Sequence, residues 1–568
     1  MRDLFPRLWS LLPPSERRKL LPLVLAMAFG AFLELLGLGL VMPVIAVLAN
    51  PDLIEQNKYL RIIHGFINPG SDVHFLLILC FSVAAVYIVK NMFLAIETRM
   101  QVRFVYRLGE RIASRLFDNY IHAPYVFHLS KNSSEILNNI NMVGTIAGGL
   151  FMPAMMFLAE MIVVASILGL LLFFAPYATL GLAVVSMIIV AGLYYPFKRY
   201  NLLLGERILL YSKEAFQDVM QGFEGIKECK IRTCEPLLSR RHEAHQRLLR
   251  EAEASRNFFN QLPRFCIEAL VVVAGMGTLA AFVLAGVATG SIVLKLSLIA
   301  VAMVRLMPSF SRIQYQLTSI RQNLYAFNRI YSDLEKLAPA PASLDNKPPM
   351  ALGNSICLEG VSFSYPGAQS PVISGLSMEI PRNSSVAFVG PTGCGKTTLM
   401  DMILGLLKPT AGRISVDGRD IEENLPSWQR KIGYVPQFIF LMDASIRENV
   451  AFGEERDSID DAQVRKCLET AQLLDFAESL PGKLNAMVGE RGVRLSGGQR
   501  QRIGIARALY RNPEVLALDE ATSALDNDTE KAFVDALKSL KGKLTIIMIA
   551  HRLTTVENCD RIVNLKAG

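Results

Sequence analysis

Charge is scarce in this chain: Asp, Glu, Lys and Arg make up only 19% of its 568 residues, while 51% are hydrophobic. With a mean hydropathy of +0.32, a wholly soluble enzyme is excluded and part of the chain is expected in lipid. Cysteine is sparse too. The eight cysteines, at 80, 229, 234, 266, 357, 394, 467 and 559, contain no CxxC pair and no completing histidine, which excludes a zinc module or a disulfide framework. Cys229 and Cys234 stand close enough to raise a redox question, but their spacing reads as ordinary reduced thiols. A net charge of +8 could point to nucleic acid. The basic residues form no single block, however, and suit the cytoplasmic flanks of membrane spans, so no nucleic-acid partner is expected. There is no internal repeat, and the length exceeds what one core organises.

What the chain has instead is long apolar runs, near 20–48, 73–96, 144–174, 177–197, 265–287 and 291–308. Each is long enough to cross roughly 30 Å of hydrocarbon, and six spans are the simplest count. Arg2, Arg7, Arg17, Arg18 and Lys19 precede the first run. They favour a cytoplasmic N-terminus, and six crossings then place both termini inside a multi-pass protein of the inner (plasma) membrane. Outer connections are short, whereas 97–143 and 198–257 are long, polar and helix-prone. One outer segment, 57–68, carries Leu60, Ile63 and Ile67 at helical spacing and fits either a helix lying on the bilayer surface or a packed loop. The stretch Leu337–Met350, LAPAPASLDNKPPM, disfavours both helix and sheet. It sets the expected organisation: a six-helix membrane domain over 1–332, a linker over 333–351, and an α/β domain over 352–568 in which β-rich runs alternate with helical patterns.

The α/β domain holds the chemistry. Gly390–Pro–Thr–Gly393–Cys394–Gly395–Lys396–Thr397 fits GxxxxGK[ST] between a strand-like run, 385–389, and a helix opening at Thr398. In such a loop the backbone N–H groups wrap phosphates, Lys396 reaches the β- and γ-phosphates, and the Thr397 hydroxyl can ligate Mg²⁺. Val515–Leu518 is a buried-strand pattern ending in Asp519 and Glu520. That suits Asp519 as a Mg²⁺ partner and Glu520 as the base that polarises water, although two acids at a strand end are by themselves more often a solvated terminus.

Leu495–Ser496–Gly497–Gly498–Gln499 downstream of this loop resembles the signature of ATP-binding cassette (ABC) proteins. Other elements follow in the same order: Phe363–Ser–Tyr365, Gln437 in Val435–Pro–Gln, Gly489–Glu–Arg–Gly492, Ser523–Ala–Leu–Asp526, and His551 in Ala550–His–Arg. The resemblance implies ATP and Mg²⁺ as cofactors. It implies that Tyr365 stacks on adenine, that Gln437 contacts Mg²⁺ or the attacking water, and that Asp526 and the switch His551 complete the machinery. It further implies that Ser496, Gly497, Gly498 and Gln499 meet the nucleotide held by the other subunit's phosphate loop. A homodimer of this half-transporter, with two composite hydrolysing sites, is therefore expected.

Six spans followed by a cassette resemble exporter-type half-transporters, and Ala123–Phe127 and Gln221–Gly225 are the candidate coupling segments. Ionisable residues in apolar runs mark cavities or partners: Lys90, Arg264 and Arg305 among cations, Glu34, Glu160 and Glu268 among anions. Arg305, Ser309 and Arg312 share a helix face at i, i+4, i+7 beside Pro308 and could grip a phosphate. Mutual neutralisation of Arg264 and Glu268, and snorkelling of Lys90, are the alternatives. The stretches Phe32–Pro43, Leu262–Glu268 and Val304–Ser309 are similar to the PglK-type lipid-linked oligosaccharide flippases of bacterial N-glycosylation. That similarity implies transfer of a polyprenyl-pyrophosphate glycan from the inner to the outer leaflet, with Lys90 departing from an arginine pattern. The alternatives are an exporter of peptides or amphipathic drugs, and an ATP-gated channel, the latter disfavoured by an intact Glu520 and His551.

Overall fold

The computed structural model describes residues 4–49, 61–62, 64–65, 71–174, 200, 203–284, 289–337, 348–368, 370–489, 492–521, 535, 537–550, 556 and 559–565. The fourth apolar run, most of segment 57–68, most of the stretch 337–350, Glu490, Arg491, Asp526 and His551 lie outside these residues, as do the side chains of Arg264 and Arg305. The chain divides into two compact units: residues 1–123 with 130–340, and residues 124–129 with 341–568.

The first unit is helical. A short helix α1 (Leu4–Leu11) is followed by α2 (Pro14–Ala49). Arg17 closes the end of α1 by donating to the carbonyls of Leu12 and Trp9, both at 2.9 Å, with its guanidinium 5.2 Å from the Trp9 ring centroid. These bonds satisfy acceptors that a helix end leaves open. Glu16 is buried at 1% exposure beside them. Its burial is compensated by Lys19 at 2.8 Å and Arg111 at 2.9 Å.

The second apolar run does not stop at the membrane boundary: α3 (Asp72–Ile121) continues as one helix of 50 residues, since 97–121 keeps helix-forming residues and an apolar stripe at Phe104, Leu108, Ile112 and Leu116. After α4 (Tyr125–Ser130), most of which groups with the second unit, come α5 (Ser133–Ile146), a π-helical turn at Ala147–Phe151, and α6 (Met152–Phe174). A π turn frees backbone groups. The Gly149 carbonyl is met by Ser319 Oγ at 2.8 Å and Asn323 Nδ2 at 3.1 Å, and a Cβ at Gly149 would collide with the Asn323 amide. A helical stretch at 203–224 leads to α7 (Ile226–Arg232), α8 (Glu235–Leu284) and α9 (Thr289–Lys336). α9 runs through Pro308 and past residue 332, where the membrane domain was expected to end. Its last turns are held by Asp333, which accepts from Tyr120 Oη at 2.7 Å and Asn139 Nδ2 at 3.2 Å. Among the described residues, three stretches are long and apolar enough to cross a membrane: Pro14–Gly37, Val73–Ile121 and Ser133–Gly169.

The second unit is α/β. An antiparallel sheet of order β2-β1-β4-β5 joins β1 (Ser355–Phe363), β2 (Ile373–Pro381), β4 (Ala411–Val416) and β5 (Arg419–Asp420). A parallel sheet of order β6-β7-β8-β3-β9 joins β3 (Ser385–Val389), β6 (Ile432–Val435), β7 (Val515–Asp519), β8 (Thr545–Ile549) and β9 (Arg561–Asn564). The central strands are buried on both faces, as continuous apolar runs in parallel sheets require. Their alternation splits the core in two. Val515, Ala517, Ile547 and Ile549 join one cluster, while Leu516, Leu518, Ile546 and Met548 join the other. The first cluster packs helix α10 (Lys396–Ile403); the second packs helix α11 (Gly497–Tyr510).

Candidate nucleotide site

The predicted phosphate loop joins β3 to α10. Gly390, Gly393 and Gly395 have φ of 152°, 86° and 93°, conformations that only glycine adopts cheaply. At two of them space is refused as well. A Cβ on Gly390 would strike the Leu565 carbonyl and come within 2.8 Å of Cys394 Sγ, and one on Gly395 would lie 2.7 Å from Ile373 Cδ1. Cys394 and Thr398 are buried, at 2% and 6% exposure, and support the loop from beneath. Lys396 is also buried, and its ammonium donates to the carbonyls of Gly390 and Pro391, both at 2.9 Å. The loop thus holds the cation at its own mouth.

β7 delivers the acids. Asp519 is its last residue and is 6% exposed. Burial raises its pKa, the adjacent Glu520 adds to the rise, and Lys396 opposes it. Glu520 follows with φ of 47°, a left-handed turn that ends the strand, and its N–H donates to Ile549 O at 3.1 Å. Gln437, just beyond β6, donates from Nε2 to Glu520 Oε2 at 2.8 Å. The sheet therefore brings together residues that stand 83 positions apart. Thr397 is exposed beside buried Lys396. A hydroxyl, an amide oxygen and a carboxylate from Thr397, Gln437 and Asp519 form a hard oxygen donor set that fits Mg²⁺. No cluster of three His, Cys, Asp or Glu able to hold a metal occurs among the described residues.

Tyr365 lies at the rim, its hydroxyl 3.1 Å from Thr398 Oγ1 and its ring edge-on to Phe363 at 5.0 Å. Ser496 caps α11 in a reciprocal box, Gln499 N donating to Ser496 Oγ at 3.2 Å and Ser496 N to Gln499 Oε1 at 2.8 Å. Gly497 and Gly498 are the first helical residues. Their unblocked N–H groups make that end attractive to an anion.

Asp401 and Arg507 were not singled out from the sequence, and Tyr125 was named there only as part of the candidate coupling segment 123–127. Asp401 on α10 is buried and raised to about 6, first by burial and then by Asp519. Tyr125 of the short α4 lies near Asp401 and Tyr365, and the neighbouring Val126 packs on the cluster around α10. Arg507 on α11 donates to Asn449 O and Phe440 O, both at 2.7 Å, and sits 4.9 Å from the Phe452 ring centroid. It fastens the segment after Gln437 to the signature helix. A lone Arg or Asp on an amphipathic helix carries no local pattern that would reveal this.

In the first unit, Lys90 is half-buried with its ammonium 4.3 Å from the Tyr87 ring centroid. Arg312 pairs with Glu160 at 2.9 Å and also donates to Pro308 O at 3.4 Å. The expected Arg305–Ser309–Arg312 stripe is thus changed: Arg312 is neutralised by an acid, because a charge on an apolar helix takes the nearest counter-ion. Ser309 is fully buried.

Known families match stretches in both units of the chain. The model described as ABC transporter transmembrane region matches residues 36–227, and the one described as ABC transporter matches 373–523. The chain belongs to the ABC transporter family. Over 268 residues this ABC transporter is 37% identical to the ATP-dependent lipid A-core flippase of Thiobacillus denitrificans, covering 47% of this chain and 46% of that protein. It is 42% identical over 224 residues to the multidrug resistance ABC transporter ATP-binding and permease protein of Lactococcus lactis, covering 38% of each. The chain thus spans less than half the length of these curated relatives. A solved bacterial Atm1-family ABC exporter with ATP bound shares the fold, with a TM-score of 0.78 at 23% identity, covering 97% of this chain and 94% of that one. The architecture is accordingly a helical membrane domain followed by an α/β nucleotide-binding domain.

Proposed function

We propose that two copies of this chain form an ATP-driven translocase that moves a polyprenyl-pyrophosphate-linked oligosaccharide from the cytoplasmic to the outer leaflet. The observation that carries the ATPase half is the Gln437–Glu520 contact at 2.8 Å beside buried Asp519 and Lys396. Glu520 accepts a proton from the attacking water, Gln437 orients that water, and Lys396 stabilises charge growing on the γ-phosphoryl oxygens. Thr397, Gln437 and Asp519 would hold Mg²⁺, which would supply positive charge against the phosphate oxygens. Residues 124–129, grouped with the nucleotide-binding unit and anchored through Val126, are the path by which closure on ATP reaches the membrane helices. Asp526 and His551 complete the machinery in this reading.

The substrate half is supported by cations in apolar helices, Lys90, Arg264 and Arg305, and by relatives named as flippases of a lipid A-core. A phosphorylated amphiphile repays cation burial and keeps its tail in lipid. The second reading is an exporter of peptides or amphipathic drugs. It is favoured by the Glu160–Arg312 pair, which reduces the positive charge available to an anion, and by the multidrug relative. Proteoliposomes separate the two: ATP-dependent delivery of a polyprenyl-pyrophosphate glycan to the far leaflet supports the first, whereas delivery of peptides or hydrophobic cations alone supports the second.

A further inference from the structure

The two cysteines five residues apart are brought together by how one helix ends and the next begins. Beyond α7, Thr233 turns left-handed at φ 51°. Cys234 N donates to Cys229 O at 3.1 Å and Thr233 N to Lys230 O at 3.4 Å, the paired bonds of a Schellman ending. That ending packs the residue two beyond the helix against the one three before its end. Here those residues are Cys234 and Cys229, and the Cys234 thiol also donates to Cys229 O at 3.7 Å.

The two thiols differ in setting. Cys229 is 4% exposed, and burial, then the Cys234 thiol, push its pKa up. Cys234 is half-buried between exposed Ile231 and Leu237, so a small solute reaches it. Its carbonyl accepts from Leu237 N at 3.0 Å and Leu238 N at 3.2 Å, placing Cys234 at the start of the 50-residue α8. Of the two sulfurs, that of Cys234 is therefore the one open to a solute.

We propose that Cys229 and Cys234 form a redox-active dithiol that closes to an intramolecular disulfide, with Cys234 reacting first with a peroxide. The Cys234 thiol gives its proton to solvent, the resulting thiolate attacks one peroxide oxygen, the O–O bond breaks, and a sulfenic acid forms with release of hydroxide, which takes up that proton and leaves as water. The Cys229 sulfur then attacks the sulfenic sulfur, the S–O bond breaks, a second water leaves and the S–S bond forms. Two thiols are oxidised and one peroxide is reduced to two waters. The bond ties the end of α7 to the start of α8. Because α7 begins directly after Gly225, the last residue of candidate coupling segment 221–225, the disulfide restrains the joint behind that segment.

The test is peptide mapping of the full-length protein in nanodiscs treated with hydrogen peroxide and digested without reduction. A cross-link between Cys229 and Cys234, two hydrogens lighter than the dithiol and reversed by dithiothreitol, is expected in the unmutated protein and absent in Cys234→Ser. Cys229→Ser should accumulate a dimedone-trapped sulfenic acid at Cys234. Closure should quicken from pH 7 to pH 9, because Cys229 holds its proton more tightly than an ordinary thiol. Two results overturn the proposal: over-oxidation of Cys234 with the Cys229 thiol intact, or closure equally fast in the guanidinium-unfolded chain. The readout needs no transported substrate, so it stands or falls separately from the flippase reading.

Discussion

The nucleotide-binding unit and the helical unit carry function in opposite ways. In the first, chemistry resides in consecutive residues whose backbone is bent to one shape: Gly390, Gly393 and Gly395 have positive φ, and the loop wraps its own lysine. In the second, charged groups meet as single side chains on long helices, such as Glu160 and Arg312, 152 positions apart yet 2.9 Å from each other. Backbone-encoded sites are readable as strings. Side-chain sites appear only once helices are packed.

That contrast sharpens under substitution. The largest effect is expected for Glu520→Gln, which should lower ATP turnover by roughly 10²–10⁴-fold while ATP binding persists; turnover within twofold of the unmutated protein would remove Glu520 from its role. Arg305→Ala should lower glycan transfer about tenfold, the loss expected when one charge-assisted contact worth about 1.4 kcal/mol disappears, and leave basal ATP hydrolysis nearly unchanged. A parallel fall in both rates would place Arg305 in folding rather than substrate handling.

A smaller effect concerns Asp401. Its pKa is raised from 3.8 to about 6 in the fold, so the native state pays for ionising it: the penalty is absent below about pH 4 and grows as pH rises through 6. Asp401→Asn is therefore expected to stabilise the magnesium-free protein by roughly 1–3 kcal/mol at pH 8 and not at pH 4, read by thermal melts at both pH values. The smallest change is expected from Ser496→Ala, which removes the cap of α11 and should cost about 1 kcal/mol in denaturant melts of the full chain.

The same contrast explains what was legible. The phosphate loop, its flanking strand and helix, and the Asp519–Glu520 strand end follow from local pattern, because strand alternation and glycine φ act within a few residues. Ser496 and Gln499 were found by resemblance, and the reciprocal box they form emerged only in the structure. Gln437 was found by resemblance, but its bond to Glu520 depends on β6 lying beside β7, which no short window encodes. Arg507 and Asp401 stayed hidden because their partners come from distant turns and strands. Among the helices, apolar runs announce existence but not length: α3 runs to Ile121 because 97–121 keeps its own buried stripe. The π turn at Ala147–Phe151 was unreadable, since its freed carbonyl is met by Ser319 and Asn323 from another helix. The Cys229–Cys234 pair looked inert by spacing because the left-handed residue that joins them is Thr233 rather than a glycine.

The most direct test is to reconstitute the protein with a fluorescent polyprenyl-pyrophosphate glycan and follow its appearance on the far leaflet on adding ATP and Mg²⁺. Transfer that requires ATP, vanishes in Glu520→Gln and weakens in Arg305→Ala is predicted. Normal ATP hydrolysis with no glycan delivered would contradict the account.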